Sequence, residues 1–373
     1  MFFSKPEKKV VVLGCGLAGL AALTALKNEF GRKISLVAVD ITDMVTLYPA
    51  LRSYLGGYRR AQDVTYSLSS VLPRGVTFVQ DRVVSLDPAH QRVICEHHEL
   101  SYDALVVALG GKPDFNNIPV DTRLVFTLDS ASDVTALREH VMQLLKPLEK
   151  KRSLEPYKKD LTCVVVGGSA AGVELALSCV SFFRDLCRSC KISSSLIDVT
   201  LVTQGILLDG TSENVQQHVR DLLQSRHIET IEQNNVVRID DGRVYLHDGR
   251  SLASSTILWE SGRVPRFLHS QLGKNGVAVG ASLQSSSFPD VFGIGDCVSQ
   301  SLELHHQAEV VATNVSAYLF SGHVVPFISS KDSSLMLRLG KEGLVIDGSV
   351  IKTGWSATRA IRHYEKSFVG GIL

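Results

Sequence analysis

The sequence has few of the features that mark several large classes of protein. Its formal net charge is only +1, so it has no excess of positive charge with which to bind nucleic acid. It contains no uninterrupted apolar run approaching the about 18 residues of a membrane-spanning helix. Its seven cysteines are spread through apolar and helical segments, which favours a reducing compartment over a disulfide framework. We therefore expect a cytoplasmic globular protein without a nucleic-acid partner.

The chain does contain enough apolar residues for more than one core. Of its 373 residues 45% are hydrophobic and 21% are charged, as in a globular protein of two domains or slightly more. Short apolar runs alternate with helical patterns along the chain, and this order is typical of an α/β fold with parallel strands.

The most informative stretch lies near the start of the chain. A run of valines runs directly into G-x-G-x-x-G, and a helical pattern rich in alanine and leucine follows. Gly14 permits the tight turn, Gly16 allows a pyrophosphate to approach the backbone, and Gly19 lets the helix pack on the sheet. A second apolar run ends at an acid placed to accept hydrogen bonds from an adenosine ribose. The predicted dinucleotide-binding residues here are Gly14, Gly16, Leu17, Ala18, Gly19 and Asp40.

The same pattern occurs again about 150 residues later, as strand, glycine turn and helix. Ser169 stands where the middle glycine would be, and Thr203-Gln204 replaces the acid after the second strand. Because no carboxylate is present there, we expect no clear preference between NADH and NADPH. If one cofactor is preferred, Arg184 and Arg188 are the candidates to decide the preference through the 2′-phosphate. The predicted residues of this second site are Gly167, Gly168, Ser169, Gly172 and Gln204.

Three further apolar strands end in glycine, where a ligand can approach the backbone. Gly110 follows the strand at 102–109, and Gly262 follows the strand at 255–259. Gly295-Asp296 follows the strand at 291–294 and is expected to open a helical stretch. An acid at such a junction can bind a ribityl chain while the helix N-terminus faces a pyrophosphate.

The segments between these motifs are less distinctive. Residues 44–57 are interpreted either as cofactor-adjacent or as a surface helix and loop. The runs at 76–79, 83–87 and 93–96 are predicted to form a small antiparallel insertion. Residues 113–119 are predicted to be a linker that leads to a helix over about 132–151.

The four motifs, taken in order, resemble the two-dinucleotide flavoprotein oxidoreductases over roughly residues 8–345. The stretch at 257–265 is most similar to the type II NADH dehydrogenases, which pass electrons from NADH through FAD to a quinone. The resemblance implies FAD in the first loop and at Asp296, and NAD(P)H in the middle insertion. It places Glu174 near the nicotinamide and quinone. It also matches Gln307 to one glutamine of the family's Ala-Gln-x-Ala-x-Gln segment, whose other glutamine is Val311 here.

We accordingly predict two Rossmann-like domains and a short C-terminal segment, with Glu174 and Gln307 as catalytic residues. Residues 1–115 and 280–328 form the FAD-binding domain in this scheme, and 116–279 form the NAD(P)H-binding domain. Residues 329–373 form the C-terminal segment, which is expected to contact a membrane surface or a second copy of the chain.

Several alternatives stay open. Cys187-Arg188-Ser189-Cys190 has the spacing of a disulfide reductase, and sulfide:quinone reductases share the fold. An FAD scaffold similar to apoptosis-inducing factors, with slow turnover, is a third alternative. His305-His306 lack a spaced carboxylate, so we expect no metal site. The tail at 355–368 is amphipathic and basic, and it is interpreted either as an interfacial anchor or as a helix packed on the protein's own core.

Overall fold

The computed structural model describes residues 8–115, 117–265, 272–273, 276–298, 303–328, 335–339, 342–347 and 350–370. The first part of the chain contains, in order, β1 (Lys8–Leu13), α1 (Leu17–Phe30), β2 (Ile34–Asp40), β3 (Met44–Thr46), α2 (Leu51–Leu55), β4 (Thr65–Ser67), α3 (Leu68–Val71), β5 (Val76–Gln80), β6 (Val83–Asp87), β7 (Arg92–Cys95), β8 (Glu99–Ser101), β9 (Ala104–Val107) and β10 (Gly111–Pro113).

The middle part contains β11 (Val125–Phe126), α4 (Ala131–Leu145), β12 (Thr162–Val166), α5 (Ala170–Ser189), β13 (Asp198–Val202), α6 (Glu213–Ser225), β14 (Ile228–Ile231), β15 (Val236–Asp240), β16 (Arg243–Leu246), β17 (Ser251–Ala253), β18 (Thr256–Trp259) and β19 (Arg263–Pro265). The last part contains β20 (Val291–Gly293), α7 (Leu304–Phe320), β21 (Leu335–Leu339), β22 (Glu342–Asp347), β23 (Val350–Thr353) and α8 (Gly354–Gly370).

Two five-stranded parallel sheets have the same internal order. The first sheet runs β20-β9-β1-β2-β5, and the second runs β11-β18-β12-β13-β14. In each sheet the strand before the glycine loop is central, with the next strand of the chain beside it. This arrangement confirms the predicted α/β fold with two Rossmann-like sheets.

Burial on both faces explains why the central strands are apolar throughout. Val10 and Val12 pack in a cluster with α1 and α7, while Val11 and Leu13 pack in a second cluster on the opposite face. All four side chains are fully buried. A strand covered on both faces has no exposed side on which a polar residue could alternate.

One predicted strand belongs to a different sheet. The run at 76–79 was expected in the antiparallel insertion, but β5 pairs in parallel with β2 and forms an edge of the first sheet. The insertion itself consists of β6, β7 and β8, which are antiparallel. The prediction was wrong because short apolar strands of either sheet type look alike until the partner strand is known.

Two predicted boundaries also differ. The linker predicted at 113–119 overlaps β10, which pairs in antiparallel register with β19. This pairing joins the first half of the molecule, which contains β1–β10 and β20, to the second half, which contains β11–β19. The helix predicted over about 132–151 ends as α4 at Leu145 and continues as a 3₁₀ helix, Lys146–Lys150. Proline at position 147 accounts for the change, because it cannot supply an amide hydrogen to a continuing helix.

The C-terminal sheet packs on the rest of the protein. Leu337 of β21 and Leu344 of β22 are fully buried in the same core cluster as α5. Ala357 and Ile361 of α8 are buried against Val345, so this part of the predicted apolar stripe packs on the protein's own sheet. The side chains of Tyr364 and Phe368, which continue the stripe, lie outside the described residues.

In the part of the chain that the structure describes, no helix combines the length and apolar character needed to cross a bilayer.

Candidate active site

The first glycine loop has the geometry that the sequence predicts. Gly14 has φ +92°, and a Cβ atom added there would lie 2.4 Å from the carbonyl oxygen of Ala108. A Cβ on Gly19 would lie 1.8 Å from the carbonyl oxygen of Gly14. A Cβ on Gly16, by contrast, would meet no heavy atom within 4 Å. The first and third glycines are therefore required by the fold, while the space above Gly16 is open for a ligand.

Asp40 lies directly beside this loop. Its Oδ2 accepts a hydrogen bond from the Cys15 amide at 2.6 Å, and its Oδ1 accepts one from the Thr42 amide at 3.1 Å. A carboxylate has about four acceptor positions, so both oxygens can still accept bonds from ribose hydroxyls. Asp40 thus fixes the backbone of the phosphate loop as well as offering a ribose contact, and the first of these roles was not predicted.

The helices after the two loops begin without caps. The N-cap residues Gly16 of α1 and Ser169 of α5 make no side-chain cap hydrogen bond, and neither helix has an acid in its first turn. Helix α4 differs, because Ser130 and Asp133 form a complete capping box there. Uncapped amides at a helix N-terminus are available to an anion. Together with the open space above Gly16, they fit the pyrophosphate of FAD at α1.

The Gly295–Asp296 segment is placed against the same loop, but not as predicted. It forms a 3₁₀ turn, Gly295–Cys297, and α7 begins only at Leu304. The expectation that Asp296 opens the helix was therefore wrong. A Cβ on Gly295 would lie 2.7 Å from Ala18 Cβ, so the turn rests directly on the first loop.

Gln307 holds this turn in place. Its side chain is fully buried, and its Oε1 accepts a hydrogen bond from the Gly295 amide at 3.0 Å. Behind the turn, the Cys297 thiol donates to the carbonyl oxygen of Val107 at 2.8 Å. Burial raises the pKa of this thiol to about 12, so it remains protonated.

The second glycine loop repeats the geometry of the first. Gly167 has φ +136°, and a Cβ there would lie 2.4 Å from the carbonyl oxygen of Glu260. A Cβ on Gly172 would lie 1.9 Å from the Gly167 carbonyl oxygen. Gly168 is needed for another reason, because its Cβ would lie 2.3 Å from Thr203 Oγ1. These contacts explain three of the glycines predicted at the second site.

The strand registers show which residue replaces the ribose-binding acid. Leu13 pairs with Val39 in the first sheet, and Val166 pairs with Val202 in the second. The residue after each pair is Asp40 in the first case and Thr203 in the second. Gln204, one residue further, is exposed. The second site therefore has no carboxylate at the position where the first site has one.

The two remaining strand-end glycines are also equivalent. Gly110 has φ +67° and Gly262 has φ +78°, and each lies three residues after an equivalent strand, β9 in the first sheet and β18 in the second. A Cβ on Gly110 would meet nothing within 4 Å. The next residues form β10 and β19, so the two segments leave their sheets here and pair with each other.

A buried ion network joins these two regions. The Arg52 Nε donates to Glu174 Oε2 at 2.8 Å, and its Nη1 lies 3.8 Å from Glu260 Oε1. The side chains of Arg52, Glu174 and Glu260 are 8%, 11% and 8% exposed. Glu174 Oε1 also accepts a hydrogen bond from the backbone amide of Arg338. One guanidinium from the first half thus meets two carboxylates of the second half, and one of these carboxylates, Glu174, also bonds an amide of the C-terminal sheet.

Tyr48 and Arg263 extend the network. The Tyr48 hydroxyl donates to Glu260 Oε1 at 2.9 Å, and Arg263 Nη1 donates to the Tyr48 oxygen at 3.2 Å. Arg263 also donates to Asp129 at 2.8 Å and to the carbonyl oxygen of Gly111 at 2.7 Å. The guanidinium carbons of Arg52 and Arg263 lie 5.4 and 5.1 Å from the centre of the Tyr48 ring.

Burial and charge together keep this network in one protonation state. Burial, and then the charge of Glu260, raise the pKa of Tyr48 above its usual range despite the two arginines. Burial lowers the pKa of Arg52, but Glu174 and Glu260 more than offset this effect. At neutral pH the phenol is therefore protonated and the guanidinium is charged.

The cysteines are not arranged for redox chemistry. All seven are free thiols and all are buried. Burial, and then the charge of Cys190, raise the pKa of Cys187 to about 11. Burial and Asp40 raise the pKa of Cys15 well above its usual range. A reactive dithiol needs a lowered pKa and access to solvent, and Cys187 has neither.

Sequence reasoning found Glu174 but missed most of its surroundings. Tyr48 and Glu260 are 212 residues apart, and no local pattern connects them. Glu260 could have been found from the repeat, because it occupies the same place after β18 that Ala108 occupies after β9. Residues 44–57 contain both Tyr48 and Arg52, which contact the second half, and their position beside a cofactor stays a prediction.

The fold and the site define a protein with two equivalent dinucleotide-binding halves and a buried polar contact between them. Residues 8–312 match the family model of the pyridine nucleotide-disulphide oxidoreductases, so the chain belongs to that family. Membership confirms the predicted enzyme class, an FAD-dependent NAD(P)H oxidoreductase, and the predicted cofactors FAD and NAD(P)H.

Individual relatives agree with this assignment. A type II NADH:quinone oxidoreductase of Haemophilus influenzae is 25% identical over 381 aligned positions, which cover 89% of this chain and 85% of that protein. The sulfide:quinone oxidoreductase of Aquifex aeolicus has a similar structure, with a TM-score of 0.79 at 18% identity, covering 98% of this chain and 91% of that one. NDH2 of Plasmodium falciparum, in complex with NADH, gives a TM-score of 0.78 at 16% identity, with coverage of 96% and 94%.

Proposed function

We propose that this protein takes hydride from NAD(P)H and delivers two electrons to a quinone through bound FAD. The observation that carries the proposal is the contact between the two dinucleotide-binding halves, which meet at Arg52, Glu174 and Glu260. Relatives named type II NADH:quinone oxidoreductase support the choice of acceptor. Residues 1–115 and 280–328 would hold FAD, 116–279 would hold NAD(P)H, and 329–373 would complete the site beside α5.

The FAD-binding residues would act through the backbone and two carboxylates. The uncapped amides of α1 would bind the pyrophosphate, and Asp40 would bind the adenosine ribose. Asp296, held against the first loop by Gly295 and Gln307, would contact the ribityl chain. Bound FAD supplies the redox chemistry, because it accepts hydride from a nicotinamide and passes electrons on.

The second half would bind NAD(P)H in the equivalent way. The uncapped amides of α5 would receive the pyrophosphate, and Gln204 would lie near the adenosine ribose. Gly110 and Gly262 follow β9 and β18 at the junction, where the absence of side chains leaves the backbone accessible. The chain thus brings the two cofactor sites together by pairing β10 with β19.

We assign Glu174 and Gln307 positioning roles. Arg52 and the Arg338 amide both stabilise the charged form of Glu174, so this residue is poorly suited to donate a proton. Arg52 cannot give up its own proton at accessible pH. The network therefore fixes the two halves relative to each other, and it does not act as a proton relay. Gln307 likewise has a positioning role, because its side chain holds the Gly295 turn in place.

The thiols argue against a disulfide as electron acceptor and against sulfide as electron donor. A dithiol relay requires an accessible thiolate, whereas the whole set of seven cysteines is buried. The similarity to sulfide:quinone oxidoreductase keeps sulfide in the experiment as a competing substrate. An FAD scaffold similar to apoptosis-inducing factors is distinguished by its rate, since it would be reduced and reoxidised slowly.

The experiment is an anaerobic stopped-flow series on the FAD-loaded protein. Flavin absorbance is followed after mixing with NADH, NADPH or sulfide, and the reduced protein is then mixed with a soluble quinone or with a disulfide. We expect rapid bleaching by NAD(P)H and rapid reoxidation by quinone alone. Cys187→Ser should leave both phases unchanged. Reoxidation by the disulfide, or bleaching by sulfide but not by NAD(P)H, would contradict the proposal.

A quinone substrate also requires contact with a lipid surface, and we propose that the start of α8 supplies it on the cytoplasmic face. Trp355 is 76% exposed, and the Arg359 guanidinium lies 5.6 Å from its ring centre. An exposed tryptophan beside arginine is typical of interfacial helices. Trp355→Ser should lower sedimentation with anionic liposomes, whereas Phe320→Ser, which removes another exposed aromatic side chain, should not. Equal binding by Trp355→Ser and the unaltered protein would rule out this contact.

A further inference from the structure

Away from the dinucleotide loops, four metal-binding side chains converge beside the β6–β8 sheet. Asp81 precedes β6, and Glu96, His97 and His98 form the turn between β7 and β8. His97 Nδ1 lies 3.2 Å from Asp81 Oδ1, and His98 Nδ1 lies 2.6 Å from Asp81 Oδ2. Two imidazoles from adjacent residues therefore face one carboxylate.

Asp81 is held rigidly at the centre of the group. Its side chain is 0% exposed, and it accepts hydrogen bonds from the amides of Arg82 at 2.7 Å and His97 at 3.0 Å. Its own amide donates to the carbonyl oxygen of Asp40 at 2.9 Å, which ties it to the end of β2. The central carboxylate is thus fixed in place.

We propose that Asp81, Glu96, His97 and His98 bind a divalent transition metal ion, with Zn²⁺ the ion that these donors fit best. The ligand atoms of Asp81, Glu96 and His97 all lie within 4.8 Å of one another. Zn²⁺ takes imidazole nitrogen and carboxylate oxygen at about 2.0–2.2 Å, which places tetrahedral ligands roughly 3.3 Å apart. The distances from Asp81 to His97, 3.2 Å, and to His98, 2.6 Å, are already close to that spacing.

Metal binding requires two small changes in this cluster. Any imidazole proton shared with Asp81 must leave when the metal ion binds. Glu96 must also leave the ion pair with Arg82, which has an Nε–Oε1 distance of 3.0 Å. Both partners of that pair are about half exposed, so its loss costs little. Neither change disturbs a buried part of the fold.

The chain provides a matched control on the same sheet. His90 Nδ1 lies 2.8 Å from Asp87 Oδ2, which gives one exposed imidazole on one carboxylate. That pair lacks the second histidine and the additional acid. Cysteine will not compete for the ion, since every thiol of the chain is buried.

The test is calorimetric titration of the FAD-loaded protein, with any histidine tag removed, using Zn²⁺ and Mg²⁺ as separate probes. We expect one saturable Zn²⁺ site and no Mg²⁺ binding, because Mg²⁺ disfavours imidazole. His97→Ala/His98→Ala should lower Zn²⁺ affinity by about tenfold or more. His90→Ala should leave it unchanged.

Three results would overturn the proposal: no saturable Zn²⁺ binding, equal binding of Zn²⁺ and Mg²⁺, or full Zn²⁺ affinity in the double histidine variant. The last two would show a general cation patch or a site elsewhere. If the double variant melts at a lower temperature, His97→Ala alone gives the result, because that side chain is 76% exposed. X-ray absorption of the Zn²⁺ complex should show imidazole scattering, and its absence would likewise contradict the assignment.

Discussion

The two halves of the molecule share the same unit of strand, glycine loop and helix. Two buried positions that carry alanine in the first half carry glutamate in the second. Counting from the last glycine of each loop, Ala21 in the first half corresponds to Glu174 in the second. Ala108 corresponds to Glu260, since their amides bond the equivalent carbonyl oxygens of Leu13 and Val166, both at 2.8 Å. Both alanines lie in the apolar core of the first half. Both glutamates face Arg52.

This difference shows how a repeated fold acquires an asymmetric junction. A buried carboxylate is strongly unfavourable unless a partner and hydrogen bonds compensate its lost hydration. In the second half that partner comes from the first half, so the two acids are stable only when the halves are correctly joined. The first half needs no such partner, because alanine fills the same positions.

The largest expected effects test whether the two loops are equivalent in shape but not in ligand. Gly14→Ala and Gly167→Ala each force a Cβ to within 2.4 Å of a backbone oxygen, at φ +92° and +136°. Backbone strain of about 1–3 kcal/mol adds to overpacking of about 1–3 kcal/mol. We expect Gly14→Ala to abolish FAD retention, and Gly167→Ala to keep FAD while losing NAD(P)H binding. Flavin absorbance and nucleotide titration measure the two outcomes.

Gly16→Ala is the matched control for these variants. Its Cβ would meet no protein atom within 4 Å, so thermal stability should change by less than about 1 kcal/mol. FAD retention should still fall, because the methyl group enters the space proposed for the pyrophosphate. Tight FAD binding by Gly14→Ala would show that the two loops do not have the ligands assigned to them.

The second prediction removes the cation at the junction. Arg52→Met leaves Glu174 and Glu260 buried without their guanidinium, and we expect a loss of about 3–5 kcal/mol in unfolding free energy. Adding Glu174→Gln to this variant should recover part of the loss, as expected for coupled groups. Arg60→Met is the control, because Arg60 and Asp63 form an exposed ion pair that contributes little to stability. Equal losses for Arg52→Met and Arg60→Met, measured by denaturant titration, would show that the buried network contributes nothing.

Much of the fold follows from local pattern, and much of the site does not. The loops at 14–19 and 167–172 are predictable because strand, glycine turn and helix occur within a short stretch of chain. The partner of β5 is not, since pairing with β2 depends on the whole sheet. The helix predicted to open at Asp296 begins only at Leu304, since a strand that ends in glycine and an acid does not show how far away the next helix starts.

The histidines illustrate the same limit. His305-His306 is an adjacent pair of histidines with no spaced acid in the sequence. His97-His98 is also an adjacent pair, and it meets Asp81 because β6 and β7 pair. Register between strands decides which polar residues converge, and sequence spacing alone does not give that register.

The third prediction concerns pH and sharpens the role of Tyr48. Its pKa is raised in the folded protein, so the folded state keeps the phenol proton while the unfolded state loses it near pH 10. The stability that this group contributes is therefore complete below about pH 10 and falls as pH rises further, by up to 1.4 kcal/mol per pH unit. Tyr48→Phe should cost about 1–3 kcal/mol at pH 8, because Glu260 loses a buried donor. It should also flatten the decline above pH 10.

Tyr245→Phe controls for the ring itself. The Arg238 guanidinium lies 4.1 Å from the centre of the Tyr245 ring, so this tyrosine is also stacked with arginine. We expect little change at pH 8 for Tyr245→Phe. A parallel decline above pH 10 in Tyr48→Phe and the unaltered protein, followed by denaturant titration, would show that Tyr48 is not the group responsible.

The last and smallest effect tests the missing acid of the second half. Because Thr203 and Gln204 carry no carboxylate, these two positions do not repel a 2′-phosphate, and NADH and NADPH should differ by less than about a hundredfold in kcat/KM, or 2.7 kcal/mol. Gln204→Glu should shift the preference toward NADH by roughly tenfold, since it restores a negative charge near the position that Asp40 has in the first half. Gln224→Glu adds the same charge at the end of α6 and should have no effect.

Arg184 and Arg188 are poor candidates for phosphate binding, because they lie about 22 Å or more along α5 from Ser169. A strong NADPH preference in the unaltered protein would instead direct attention to Arg220, whose partner Glu232 accepts the Leu207 amide at 2.7 Å. A Gln204→Glu variant with unchanged preference would show that the adenosine ribose does not lie beside this residue.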